Sequence, residues 1–130
     1  MEIRDMCKES HRVSKEHGFE THWLNVPEKL MLIVTELAEA MEAYRLLDSS
    51  TLYSLGDSKG TKISGALLDD EDERRVYKQA DAVSNFKEEL ADTFIRLGDL
   101  CDGLGIDIES AIADKQKANE ARPHLHGKQR

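Results

Sequence analysis

Apolar residues recur along this chain three and four residues apart, and alternation of the strand type never persists. The spacing predicts a polar first helix from about Glu2 to His17, with Ile3, Met6, Cys7 and Val13 as a thin stripe and Gly18 as its stop. A connector from Phe19 to Val26 carries the single tryptophan, Trp23. Pro27 then fits the first turn of a second helix running to about Leu47, whose wide apolar arc predicts a well-buried element. From about Asp48 to Ser84 the pattern weakens into a loop-rich insertion, marked by Ser49-Ser50-Thr51, Gly56, Gly60 and Gly65. Such a loop often serves as a lid or a subunit contact. Ser84 or Asn85 caps a third helix to about Asp102, ended by Gly103-Leu104-Gly105. Asp107 caps a last helix to about Ala121, before Pro123 and a basic tail over 122–130. The fold class that follows is all-α.

Two acidic pairs interrupt this pattern with the same spacing: Glu36-Leu-Ala-Glu39 in the second helix and Glu89-Leu-Ala-Asp92 in the third. Residues three apart share one helix face, one turn from each other. With the first acid of each pair set at zero and about 100° per residue, the apolar arcs of both helices centre roughly 100° away. Those arcs hold Leu30, Ile33, Leu37, Met41 and Tyr44 on one helix, and Phe86, Leu90, Phe94, Leu97, Cys101 and Leu104 on the other. Glu39 and Asp92 lie about 60° further out on the opposite side. Packing the two apolar arcs together therefore predicts that both acidic pairs line one rim of a bundle. Solvated edge charge is the plain alternative. Carboxylates beside apolar faces are costly unless a cation meets them, and four hard oxygen ligands without histidine or thiolate favour magnesium or manganese.

At 130 residues the chain has the length of one domain, 1–130. Aromatic residues make up 5% and charged residues 34%, a composition that suits helices around a modest core. The net charge of −8 argues against a nucleic-acid binder, which needs a basic face, yet leaves room for a nucleotide enzyme whose metal ions supply positive charge. No run of about 18 apolar residues occurs, so no membrane span is expected. The start Met-Glu-Ile-Arg-Asp lacks the apolar core of a signal peptide, and Cys7 and Cys101 show neither metal nor redox spacing. The expected location is cytoplasmic, with both thiols reduced. In the acidic run Asp69-Asp70-Glu71-Asp72-Glu73, a solvated helix N-terminus is favoured over a second metal site.

The segments Leu32-Ile-Val-Thr-Glu36-Leu-Ala-Glu39-Ala-Met-Glu-Ala-Tyr-Arg45 and Glu88-Glu89-Leu-Ala-Asp92-Thr-Phe-Ile-Arg96 are followed by Lys115, Asn119, Arg122-Pro123 and His126-Gly-Lys128. In this order they resemble the MazG-like nucleotide pyrophosphohydrolases, from near Trp23 onward, with 48–84 poorly matched. The resemblance implies a four-helix bundle core of the all-α NTP pyrophosphatase type that self-associates as a dimer or dimer of dimers. It also implies magnesium-dependent hydrolysis of a nucleoside triphosphate to the monophosphate and pyrophosphate, with Glu36, Glu39, Glu89 and Asp92 as metal ligands. Thr35 stands where many members have a further acid. Glu88 and Glu42 are both candidates to orient the attacking water.

Lys115, Lys128 and Arg122 are candidate phosphate contacts, since arginine can bind two oxygens at once. Asn119, one helical turn after Lys115, offers a donor and an acceptor to a base or sugar. Trp23 is read either as a stacking surface for a base or as a core residue. His124 and His126 lack a third soft ligand and are read as tail or phosphate contacts. A di-iron carboxylate bundle would need Glu-x-x-His motifs, which are absent. A non-catalytic helical interaction module shares the apolar stripes but gives no reason to repeat the acidic pair.

Overall fold

The computed structural model describes residues 2–58 and 72–123. Every regular element among them is helical: α1 (Ile3–Glu16), a 3₁₀ turn (Trp23–Asn25), α2 (Val26–Arg45), α3 (Ser49–Ser58), α4 (Glu73–Gly103) and α5 (Ile108–Glu120). The chain packs as two compact units, Met1–Lys29 with Ile95–Arg130, and Leu30–Phe94.

In the first unit, α1 packs against α5. Asp107 caps α5 by accepting from the Ser110 N–H at 3.2 Å, and Arg4 grips the same carboxylate with Nε at 3.2 Å and Nη2 at 3.1 Å. The Arg4 guanidinium and the Ser110 donors hold the Asp107 carboxyl down at about 2, and Arg4 also pairs with Glu109. His11 Nδ1 meets Asp99 Oδ1 at 2.8 Å and ties α1 to the end of α4. Close approach here needs glycine. A Cβ at Gly103 would lie 2.6 Å from Thr21 Cβ, and one at Gly98 would lie 2.8 Å from Met6 Sδ. Cys7 and Cys101 are buried free thiols, raised above their usual range first by desolvation.

The second unit departs from the sequence reading. Within the expected insertion, 49–58 is helix, and α4 begins at Glu73, not after Ser84. Ser84 and Asn85 are exposed positions inside α4, not caps. The actual caps are aspartates: Asp48 accepts from the Thr51 N–H at 2.9 Å, and Asp72 from the Arg75 N–H at 3.2 Å. The Asp72 contact fits the helix-terminus reading of the acidic run, while residues 59–71, including Gly60, Gly65 and Asp69-Asp70-Glu71, lie outside the described residues.

The buried stripe was hard to see because much of it is polar. Thr51, Ser54 and Gln79 are buried beside Ala82 and Val83. Gln79 satisfies itself on the backbone, accepting from the Asp48 N–H at 2.8 Å and donating to the Leu46 carbonyl at 2.9 Å. Arg75 clasps Asp48 at 2.8 and 2.9 Å. The Thr51 N–H first, and then Arg75, hold the Asp48 carboxyl below its usual range.

α2 is also less buried than its apolar arc predicts. Only Glu36, Ala40 and Ala43 are buried along it, while Leu30, Val34, Leu37, Met41 and Tyr44 remain about half exposed. Trp23 is not a core residue either, being 68% exposed.

Replacing Gly103 by alanine tests the first unit, because Thr21 Cβ is fixed close to its backbone and cannot swing aside. Gly103→Ala should lower stability by about 1–3 kcal/mol in urea unfolding, despite the gain in helix propensity. Gly98→Ala should cost less, since the Met6 thioether is flexible. Equal effects at both positions would contradict this packing.

Candidate metal centre

Glu36 and Glu39 project from α2, and Glu89 and Asp92 from α4, all within the unit Leu30–Phe94. Two features of the sequence let the helices approach. Ala40 and Ala43, one and two turns beyond Glu36, are buried small residues, and Ala82 is a buried small residue on the α4 part of the same unit. Tyr44 and Phe86 then meet with ring centroids 6.5 Å apart. Pairings that rise along α2 while falling along α4 show that the two helices run antiparallel.

One carboxylate oxygen each from Glu36, Glu89 and Asp92 lies within 4.8 Å of the others, the only such group of acids, histidines or thiols among the described residues. Glu39 joins them through the Glu89 carboxyl, which lies within hydrogen-bond reach of both Glu36 and Glu39. Glu36 is only 7% exposed, so one acid of the cluster sits in the seam between the helices and not on a solvated rim. The expected arrangement had the two apolar arcs packed together and both acidic pairs along one rim; instead Glu36 is buried, while Leu30, Leu37, Met41 and Tyr44 of the α2 arc stay exposed.

The electrostatics follow from this crowding. Hydrogen bonding to Glu36 and then Glu39, desolvation, and repulsion from both push the Glu89 carboxyl up to about 7. The neighbours that act on it are acids. Its Oε2 is out of contact with solvent and meets no hydrogen-bond donor. A buried carboxylate oxygen aimed at other carboxylates needs a proton or a cation between them. The residues fit a hard divalent ion in their chemistry: all donors are carboxylate oxygens, and those of Glu36, Glu89 and Asp92 lie within 4.8 Å of one another.

Other sequence candidates fall elsewhere. The Thr35 hydroxyl donates to the Met31 carbonyl at 3.0 Å, so it is engaged with its own helix. Thr93 likewise donates to the Glu89 carbonyl at 2.8 Å. Glu42 and Glu88 are exposed, and the structure does not choose between them as the water-orienting group. Trp23, Lys115, Asn119 and Arg122 belong to the other unit and are exposed there. Lys128, His124 and His126 lie outside the described residues. The small residues Ala40, Ala43 and Ala82 were missed as site residues, although their spacing from the acids was legible. Compared with known protein families, curated proteins and solved structures, the chain matches none.

The raised Glu89 carboxyl sets the pH dependence of the metal-free protein. Its folded value of about 7 exceeds its ordinary 4.5, so its stabilising contribution is complete below about 4.5 and is lost as pH rises through 7. Melting temperatures of the wild type, recorded in chelator from pH 4.5 to 8, should fall relative to Glu89→Gln. Parallel profiles for the two proteins would show that Glu89 is not held among acids.

Proposed function

We propose that this chain is a magnesium-dependent nucleotide pyrophosphohydrolase of the MazG-like type, cleaving a nucleoside or deoxynucleoside triphosphate to the monophosphate and pyrophosphate. The observation that carries this reading is the convergence of two sequence-distant acidic pairs into one carboxylate cluster with a buried, donorless oxygen. Solvated edge charge would have no reason to converge, and an interaction module would have no reason to bury Glu36 against Glu89.

When bound, magnesium neutralises phosphate charge and lowers the pKa of a bound water. The chain's own residues supply the rest. Glu36, Glu39, Glu89 and Asp92 form the anionic cradle, and Glu88 or Glu42 orients the water that attacks phosphorus. Water adds across the bond between the α- and β-phosphates, so its oxygen enters one product and pyrophosphate leaves as the other. Lys115 and Arg122 are read as phosphate contacts, Asn119 as a contact to base or sugar, and exposed Trp23 as a stacking surface for the base. Lys128 is assigned a phosphate contact from its place in the motif alone. The resemblance carries with it a four-helix core, a self-associating protein, manganese as an alternative ion, and a role in clearing the cytoplasmic nucleotide pool. No described helix is long and apolar enough to cross a membrane.

Magnesium or manganese should raise the melting temperature at pH 7–8, by mass action on the folded state. Glu36→Gln, Glu39→Gln, Glu89→Gln and Asp92→Asn should each keep the fold and depress pyrophosphate release by about a hundredfold or more. Glu73→Gln, an exposed acid in the first turn of α4, is the control and should change little. Lys115→Ala and Arg122→Ala should chiefly weaken triphosphate binding, and Asn119→Ala should alter the preference among bases or sugars. A panel of ribo- and deoxyribonucleoside triphosphates with magnesium reads all of these. Near-normal rates in the amide variants would place the chemistry elsewhere in the chain.

A further inference from the structure

The chain's two cysteines lie far apart in sequence, yet both sit in the first unit, at 4% and 5% exposure. A Cβ built at Gly98 would lie 3.3 Å from Cys7 Cα, so α1 runs directly against the α4 backbone at that point. Cys101 follows Gly98 by three residues, one helical turn or about 5 Å along α4. Burial first, and the nearby Cys7 thiol second, push the Cys101 thiol above its usual range. A disulfide joins Cα atoms about 4.4–6.8 Å apart, a range open to neighbours across backbones packed this closely. α1 itself is held lightly. Cys7 and Ser10 are its only buried residues, and its ties to α5 are partly exposed ion pairs of Arg4 with Asp107 and Glu109. Such pairs contribute little in water, so α1 belongs to the elements that open locally before the whole chain unfolds.

We propose that Cys7 and Cys101 are a redox-responsive pair, converted by an oxidant of the low-molecular-weight disulfide class to an intramolecular disulfide that pins α1 to α4. When α1 lifts, one thiol gives up its proton and its sulfur attacks the oxidant, breaking the S–S bond and releasing one thiolate. As α1 returns, the second protein thiolate attacks the mixed disulfide, forms the Cys7–Cys101 bond and releases the other thiolate. Two electrons pass from the protein sulfurs to the oxidant, and the two protons end on the released thiols. While α1 is docked, burial keeps both sulfurs protonated and out of reach, so opening of α1 sets the rate. A single buried cysteine is a small apolar filler; here two share one contact and no other cysteine competes for either. Local spacing shows no redox motif because the fold, not the neighbouring sequence, brings the pair together. Closing a loop over most of the chain restricts the unfolded state and so stabilises the folded one. Disulfides of this kind in a reducing compartment are transient and redox-sensing. The inference does not involve the acid cluster.

The test is to incubate the full chain with oxidised glutathione, quench it with iodoacetamide and map it by mass spectrometry. The expected product has lost two hydrogens, carries no glutathione and yields a peptide pair joined at Cys7 and Cys101. Its melting temperature should exceed that of the reduced chain by about 10 °C and return to it in dithiothreitol. Arg4→Ala, which frees α1 from Asp107 and Glu109, should speed the conversion by about three- to tenfold. Cys101→Ala should stop at the mixed disulfide on Cys7; should that variant fail to fold, the wild-type peptide map decides alone. A wild-type product that keeps glutathione on either sulfur, or a disulfide between two chains, would overturn the proposal. So would wild-type and Arg4→Ala chains that both stay reduced, or an intramolecular disulfide that lowers the melting temperature. An Arg4→Ala rate equal to that of the wild type would overturn the gating by α1.

Discussion

A carboxylate buried against other carboxylates is the constraint on which the second unit turns. Glu36 is almost without solvent, Glu89 faces both Glu36 and Glu39, and one Glu89 oxygen meets neither water nor a donor. Charge in such a place must be cancelled by a proton or by a cation. Without metal the proton does it, and that is why the Glu89 carboxyl is held far above its ordinary range. A cation bound among these acids would turn the same repulsion into attraction.

Placing acids in the α2–α4 seam has a consequence for the rest of the surface. A helix has one face for a given neighbour, and here Glu36, Ala40 and Ala43 occupy it. Large apolar residues would hold the helices too far apart for the carboxylates to meet, so alanine fills the seam and Leu30, Leu37 and Met41 turn outward. The burial of Glu36 and the exposure of the α2 apolar stripe are then two results of one packing choice.

Polar contacts anchor both units where apolar area is thin. Arg4 joins the starts of α1 and α5 through Asp107, and the Asp48, Arg75 and Gln79 network fixes the corner between α2 and α3 onto α4. These ties use side chains to satisfy backbone groups at helix ends, where donors and acceptors are left over. They compensate for a composition with few aromatic residues.

Local signals were legible in the chain itself: the all-helical class, the stops at Gly18 and Gly105 with φ of 86° and 72°, the Asp107 cap, and the spacing that sets two acids on one face. These depend on backbone sterics and on periodicity within a few residues, which sequence order encodes directly. The start of α4 and the whole of α3 were not legible, because the buried positions Thr51, Ser54 and Gln79 are polar, and Gln79 looks solvated until the backbone groups of Leu46 and Asp48 are brought to it. Nor could the sequence say which face of α2 is covered. A periodic stripe reveals that a face is apolar, while coverage depends on what lies opposite. Only the tertiary structure set Glu36 against Glu89 and left the apolar stripe in water, because burial is a property of a pair of surfaces and a sequence records one of them at a time.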